Sequence, residues 1–249
     1  IEDLPARLKI LINGTDKAGE FYRQFHYSLF SYISHRIPEI SDEVYRLDDA
    51  MMAGFGWEIG AFESWDASGV AKTTEAMKAA GFTVAKWVDD MLAAGHNTFY
   101  KVENGKRLYY DVAGKTYKNL PGGDTFLVMK YFTNQTIWKN SSSRVYHLGD
   151  DVLGLEWNTK MNSIGGEVLE SIQKGISLAE EKYKGLVIAN ESANFSAGAN
   201  IGMIFMLAIE QDYDEIDMAI RMFQNTMMRV RYSSIPVVIA PHGLALGGG

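Results

Sequence analysis

Two short apolar runs, each ending in a loop of small residues, constrain this chain more than any other feature. The first is Gly185-Leu-Val-Ile-Ala-Asn190 followed by Glu191-Ser-Ala-Asn-Phe-Ser196-Ala-Gly-Ala-Asn200. The second is Pro236-Val-Val-Ile-Ala-Pro-His242-Gly-Leu-Ala-Leu-Gly247-Gly-Gly249. Each reads as a buried strand passing into a glycine-containing turn. Such a turn sets backbone N–H groups, and the positive end of a following helix, against an anion or a developing negative charge. After Gly247 a helix is expected, yet the sequence stops at Gly249, so it reads as a fragment cut inside a functional site.

Together the two loops resemble the crotonase (enoyl-CoA hydratase/isomerase) family. That family carries a Phe-Ser-Ala-Gly-x-Asp loop and a Pro-Val-x-Ala-x-x-x-Gly-x-x-x-Gly-Gly-Gly run; here stand Phe195-Ser-Ala-Gly-Ala-Asn200 and the run from Pro236 to Gly249. The resemblance implies that the backbone N–H groups of Ala199 and Gly248 stabilise the carbonyl oxygen of an acyl-CoA thioester as it turns enolate-like. Removing one such donor typically costs about 10²- to 10³-fold in rate. It also implies CoA-ester contacts at Ala197, Gly198 and Ile201. Small residues suit this role, because the thioester must approach the backbone closely. Two departures limit the carry-over. Asn200 stands where the family has Asp, which keeps a capping side chain but removes a charge. The carboxylates that handle the water's protons in hydratases lie beyond the triple glycine, outside this sequence, and no Asp or Glu present is assigned in their place.

Residues 20–36 place Phe21, Phe25, Tyr27, Leu29, Tyr32 and Ile33 at mostly helical intervals, with Arg23, Gln24 and Ser31 on the polar face. Pro38 ends that helix. Ser41-Asp-Glu-Val44 supplies a cap and early acids for a helix from Tyr45 to Met52. The stretch from Asp48 to Gly69 then resembles the C-terminal helical domain of 3-hydroxyacyl-CoA dehydrogenases, with Gly54, Gly56, Gly60, Phe62, Glu63 and Asp66 at matching positions and Glu58 and Ala61 replacing two prolines. In that family the element serves packing and dimerisation. Hydride transfer to NAD needs a dinucleotide domain with Gly-x-Gly-x-x-Gly after a strand. Gly54-Phe-Gly56 follows a helix and lacks the third glycine, so NAD is expected in the parent protein only, on a domain absent here. His26 and His35 are read as helix-surface or packing residues.

Between these regions, Asn104-Gly105 separates aromatic and β-branched runs, a strong hairpin signal. Pro121-Gly-Gly-Asp124 marks a further turn, and Phe126 to Phe132 an apolar run. The lysines among the aromatics form the solvated face of a hairpin rather than a nucleic-acid platform. Arg144-Val-Tyr-His-Leu-Gly and Val152-Leu-Gly-Leu-Glu-Trp read as a second hairpin across Asp150-Asp151, followed by helices over 164–183, 201–209 and 216–230. Met218, Ile220, Met222, Met227 and Met228 are expected in the core. Asp212, Asp214, Glu215 and Asp217 are expected to cap a helix start rather than hold a metal.

The fold class expected is multi-domain α/β: a helical dehydrogenase-type domain over 1–95, a β-hairpin linker over 96–140, and the first part of a crotonase-like ββα spiral over 141–249. A formal charge of −7 argues against duplex nucleic acid. The absence of cysteine excludes disulfides and thiol catalysis and fits the cytoplasm. No apolar run reaches the ~18 residues of a membrane span. The two resemblances imply a bifunctional fatty-acid β-oxidation protein, with coenzyme A as part of the substrate, no metal, and a homodimer formed through the dehydrogenase-type domain. The fragment itself is expected to be inactive. Other readings are a crotonase-family isomerase or hydrolase, a non-catalytic acyl-CoA-binding module, and a dimerisation element.

Overall fold

The computed structural model describes residues 3–123 and 125–249. Asp124, the last residue of the expected Pro121 turn, lies outside the described residues, as do Ile1 and Glu2. The chain divides into two compact units, Ile1–Thr125 and Phe126–Gly249. Residues 96–140, read as a linker, divide between them: the first hairpin belongs to one unit and the last strand of the stretch to the other.

The first unit contains helices α1 (Leu4–Asn13), α2 (Lys17–His35), α3 (Val44–Phe55), α4 (Ala61–Ser68), α5 (Val70–Ala79) and α6 (Lys86–Ala93). An antiparallel sheet follows, built from β1 (Tyr100–Glu103), β2 (Lys106–Asp111) and β3 (Thr116–Asn119) in that spatial order. The β1–β2 turn is Asn104-Gly105, with φ of 51° and 72°, the left-handed pair that a two-residue hairpin needs. Phe30 stacks on Trp65 with ring centroids 4.9 Å apart, and Phe62, Met77, Val88, Met91 and Phe99 complete a core without solvent access.

The α3–α4 junction explains Asp48, Gly60, Glu63 and Asp66 of the sequence pattern in physical terms. Asp48 on α3 accepts hydrogen bonds from the first free amides of α4, Phe62 N at 2.9 Å and Glu63 N at 3.1 Å, and from the Tyr100 hydroxyl at 2.9 Å. It therefore caps a helix from outside that helix. Gly60 allows the approach: a Cβ there would lie 2.2 Å from Asp48 Cβ. The Glu63 carboxylate accepts from Gly60 N at 2.8 Å and pairs with Arg107. Asp66 accepts from Phe99 N and Tyr100 N at 2.7 and 2.8 Å, tying α4 to β1.

Helix α2 forms where its periodicity predicts, but a different stripe is buried. His26, Tyr27, Phe30, Ile33 and Ser34 face inward, whereas Phe21, Phe25 and Tyr32 are 66%, 44% and 58% exposed. His26 is a packing residue, with Nδ1 2.8 Å from the Tyr22 carbonyl. Burial pushes its pKa down.

In the second unit a 3-10 turn over Met129–Gln135 takes up the apolar run after Phe126. Strands β4 (Thr136–Lys139), β5 (Ser143–Gly149), β6 (Val152–Trp157), β7 (Gly185–Ile188) and β8 (Val237–Ile239) lie in sequence order in one sheet. β4–β5 and β5–β6 pair antiparallel; β6–β7 and β7–β8 pair parallel. The β5–β6 hairpin turns on Asp150 and Asp151, both at positive φ, as the Asp-Asp reading anticipates. A parallel pair requires a crossover: α7 (Gly166–Lys182) joins β6 to β7, and α8 (Ile201–Glu210) with α9 (Tyr213–Arg231) joins β7 to β8.

Val168, Leu169, Ile172, Ile176 and Ala179 of α7 pack with Leu153, Leu155, Leu186 and Ile188 of the sheet. α9 is held to α7 by Gln173 Nε2 donating to Thr226 Oγ1 at 2.8 Å and by the Arg229–Glu180 ion pair. Arg229 holds the Glu180 carboxyl well below its usual range, aided by the Ser234 amide. Met218, Ile220, Met222 and Met228 are not core residues. They are 57%, 45%, 38% and 50% exposed, and α8 has no buried residue. Helical spacing identifies an apolar face without identifying what covers it. Asp212 caps α9, accepting from Glu215 N at 3.2 Å.

Candidate active site

The site is made where the loops after β7 and β8 meet. Asn190 closes the first loop on itself, its Nδ2 donating to the Phe195 carbonyl at 2.8 Å and its Oδ1 accepting from Ser192 N at 3.1 Å. The two loops then continue the parallel pairing beyond the sheet. Phe195 N donates to the His242 carbonyl at 3.0 Å, Ser196 N to Leu244 O at 3.1 Å, and Leu246 N to Ser196 O at 3.0 Å. Asn194 Oδ1 accepts from Leu244 N at 3.0 Å, and His242 Nε2 lies 2.6 Å from the Ser192 carbonyl. On the other side Ala197 N donates to Met161 O at 3.1 Å and Ile164 N to Gly198 O at 2.8 Å.

Gly198 sits at φ +88°, and a Cβ on it would fall 2.4 Å from Leu246 O and 3.1 Å from Gly248 N. Only glycine allows this contact in that conformation. Ala199 and Gly248 border the same cavity, of about 270 Å³, whose walls are Ile164, Leu169, Met203, Ile204, Ile220, Met222 and Phe223. Among the described residues, neither the Ala199 nor the Gly248 amide N–H has an acceptor. No Asp or Glu lines the cavity. Two free amides at the edge of an apolar cavity can do one thing well, which is to receive a carbonyl oxygen or an oxyanion whose substituent is apolar.

Ala197 borders a second cavity of about 260 Å³ with Met161, Asn162, Ser192, Asn194 and Leu246. Ile201 is 73% exposed on the first turn of α8 and lines neither cavity. Asn200 caps α8 through Oδ1, which accepts from Met203 N at 3.4 Å; the cap survives the change from Asp without the charge. Two groups of site residues escape the sequence reading. Met161 and Asn162 both adopt positive φ, 55° and 51°, and nothing in Lys160-Met-Asn-Ser163 announces it. Phe223 and Met203 reach the cavity from helices where spacing alone marks them as general apolar positions.

The residues present do not fit NAD. Gly56, at φ +68°, is the C-cap of α3, so Gly54-Phe-Gly56 lies at the carbonyl end of a helix, where the dipole repels a pyrophosphate. The β6–α7 connection, between two parallel strands, contains Gly165-Gly166 and no Gly-x-Gly-x-x-Gly. Among the described residues no cluster of three His, Cys, Asp or Glu could hold a metal ion, and no helix is long and apolar enough to cross a membrane.

No family model matches the chain. A "Probable 3-hydroxyacyl-CoA dehydrogenase" of Bacillus subtilis (strain 168) is 40% identical over 246 residues, which are 98% of this chain and 31% of that protein. The chain is a homologue of fatty-acid oxidation proteins. A "Putative fatty acid oxidation complex trifunctional enzyme" of Rickettsia prowazekii (strain Madrid E) is 26% identical over 97% of this chain and 31% of its own length. This homologue thus spans about a third of the curated relatives it matches. Among solved structures, an enoyl-CoA hydratase from Bacillus anthracis aligns at 25% identity over 44% of this chain and 43% of that chain, with a TM-score of 0.39.

Proposed function

We propose that the second unit binds the thioester group of an acyl-CoA, with the carbonyl oxygen between the amides of Ala199 and Gly248 and the acyl chain in the apolar cavity beside them. The observation that carries this reading is the pair of amides without acceptors on one cavity. Ala197 and Gly198 hold the loop against the CoA portion. Asn162 Oδ1, buried and without a donor among the described residues, offers an acceptor to a polar part of it. Because no carboxylate lines the cavity, these 249 residues bind and polarise the thioester without supplying the proton transfers of hydration. In the parent protein we assign them to enoyl-CoA hydration, paired with NAD-dependent oxidation of 3-hydroxyacyl-CoA on another part of the chain. The first unit is proposed as an assembly element that pairs with a second copy through the exposed stripe of α2.

Calorimetric titration tests the binding reading. A saturated acyl-CoA thioester is compared with its thioether analogue, which lacks only the carbonyl oxygen. Two amide hydrogen bonds at about 0.5–1.5 kcal/mol each predict binding of the thioester roughly 5- to 150-fold tighter. Equal affinities would remove the amide pair from the site.

A further inference from the structure

Ser196 is the point at which the two amide-bearing loops are fixed to each other and to the body of the second unit. Its side chain has no solvent access. Its hydroxyl donates to the Asn162 carbonyl at 2.7 Å and accepts from Gly198 N at 3.0 Å. Its own backbone holds the opposite loop, through Ser196 N to Leu244 O and Leu246 N to Ser196 O. The side chain also abuts the end of that loop: a Cβ on Gly249 would lie 2.8 Å from Ser196 Cβ and 3.0 Å from Ser196 Oγ.

We infer that Ser196 is a positioning residue for the thioester site, setting through its hydroxyl the direction of the Ala199 amide, while its backbone holds the loop that carries Gly248. The physical step is short. The Gly198 N–H bonded to Ser196 Oγ fixes the orientation of the peptide plane between residues 197 and 198. Gly198, at φ +88°, is the residue of the loop that lacks a Cβ, and the Ala199 amide belongs to the next peptide along. Asn162, itself at positive φ, anchors the hydroxyl from a third segment, so Oγ cannot follow the loop if the loop shifts. Without the hydroxyl, Gly198 N loses a buried partner and the 198–199 peptide is held by one hydrogen bond alone, from Ile164 N to the Gly198 carbonyl at 2.8 Å, so it can tilt about that bond while the apolar cavity stays as it is. The expected loss therefore falls on polarisation of the carbonyl more than on affinity for the acyl-CoA.

This inference rests on the proposed thioester site, and the test separates the two. The full chain is titrated with p-dimethylaminocinnamoyl-CoA, a conjugated thioester whose absorbance moves to longer wavelength when its carbonyl oxygen receives hydrogen bonds. The wild-type chain is expected to bind it with a red shift. Ser196→Ala is expected to bind within a few-fold of wild type and to lose most of the shift, and Ser196→Cys, which keeps a polar γ atom, to recover part of it. Circular dichroism and thermal melting of each variant establish that the compared proteins are folded. Ser171→Ala, which removes another buried serine of the same unit bonded to Ser143 Oγ and Val168 O, is expected to retain the full shift. A red shift unchanged in folded Ser196→Ala, or an equal loss in Ser171→Ala, overturns the positioning role while leaving the site intact. Binding by wild type without any shift overturns both.

Discussion

Asp48 and Asp66 show how single residues set the first unit. Burial pushes both carboxyls up to about 7, and the amides they accept from oppose that rise without cancelling it. A carboxyl whose pKa is higher folded than unfolded binds more protons in the native state over that interval. Its contribution to stability is therefore fully present below the ordinary carboxyl value of 3.8 and lost as pH rises through about 7. Thermal stability of the first unit is predicted to fall as pH rises from about 4 to 8. Asp48→Asn, which does not titrate, should flatten that slope while lowering stability at the acid end, through loss of one capping bond to α4. Melting curves at several pH values check this; an unchanged slope in Asp48→Asn would show that its carboxyl does not titrate in that range.

At the scale of elements, the informative comparison is between helices and their environments. Loop chemistry was legible wherever a turn demanded particular residues: Asn104-Gly105 and Asp150-Asp151 form the hairpins their dipeptides predict, and Gly198 occupies the backbone region that only glycine enters freely. What covers a helix was not legible. In α2, Phe21 and Tyr32 follow helical spacing as well as Tyr27 and Phe30 do, yet only the latter pair is buried, because spacing reports a face and tertiary packing chooses it. Met218, Met222 and Met228 of α9 fail as core residues for the same reason, whereas Met227 packs against the core as expected. The capping role of Asp48 has no signal in the sequence, because its partners, Phe62, Glu63 and Tyr100, come from elements that only the folded chain brings near. The uncovered stripe on α2 borders a groove of about 530 Å³ with Gln24, Ser28 and Leu29. If a second copy pairs there, sizing with light scattering will give a dimer. Phe21→Ser combined with Tyr32→Ser, two exposed positions with little cost to folding, will give a monomer. A wild-type monomer at high concentration would contradict pairing through α2.

For the whole molecule, the two units carry different kinds of information. The first is an aromatic-rich helical body with buried carboxylates used as caps. The second is a partly parallel sheet whose two loops converge on a pair of free amides. The match to the Bacillus subtilis relative runs over 98% of this chain and so takes in both units. The most direct measurement is an amide-correlation NMR spectrum of the isotopically labelled chain, with Ala199 and Gly248 assigned, recorded with an acyl-CoA thioester and with its thioether analogue. The account predicts that both amide protons move downfield with the thioester and stay near their free positions with the thioether. Equal shifts with the two ligands, or thioester-specific shifts confined to other residues, would contradict it.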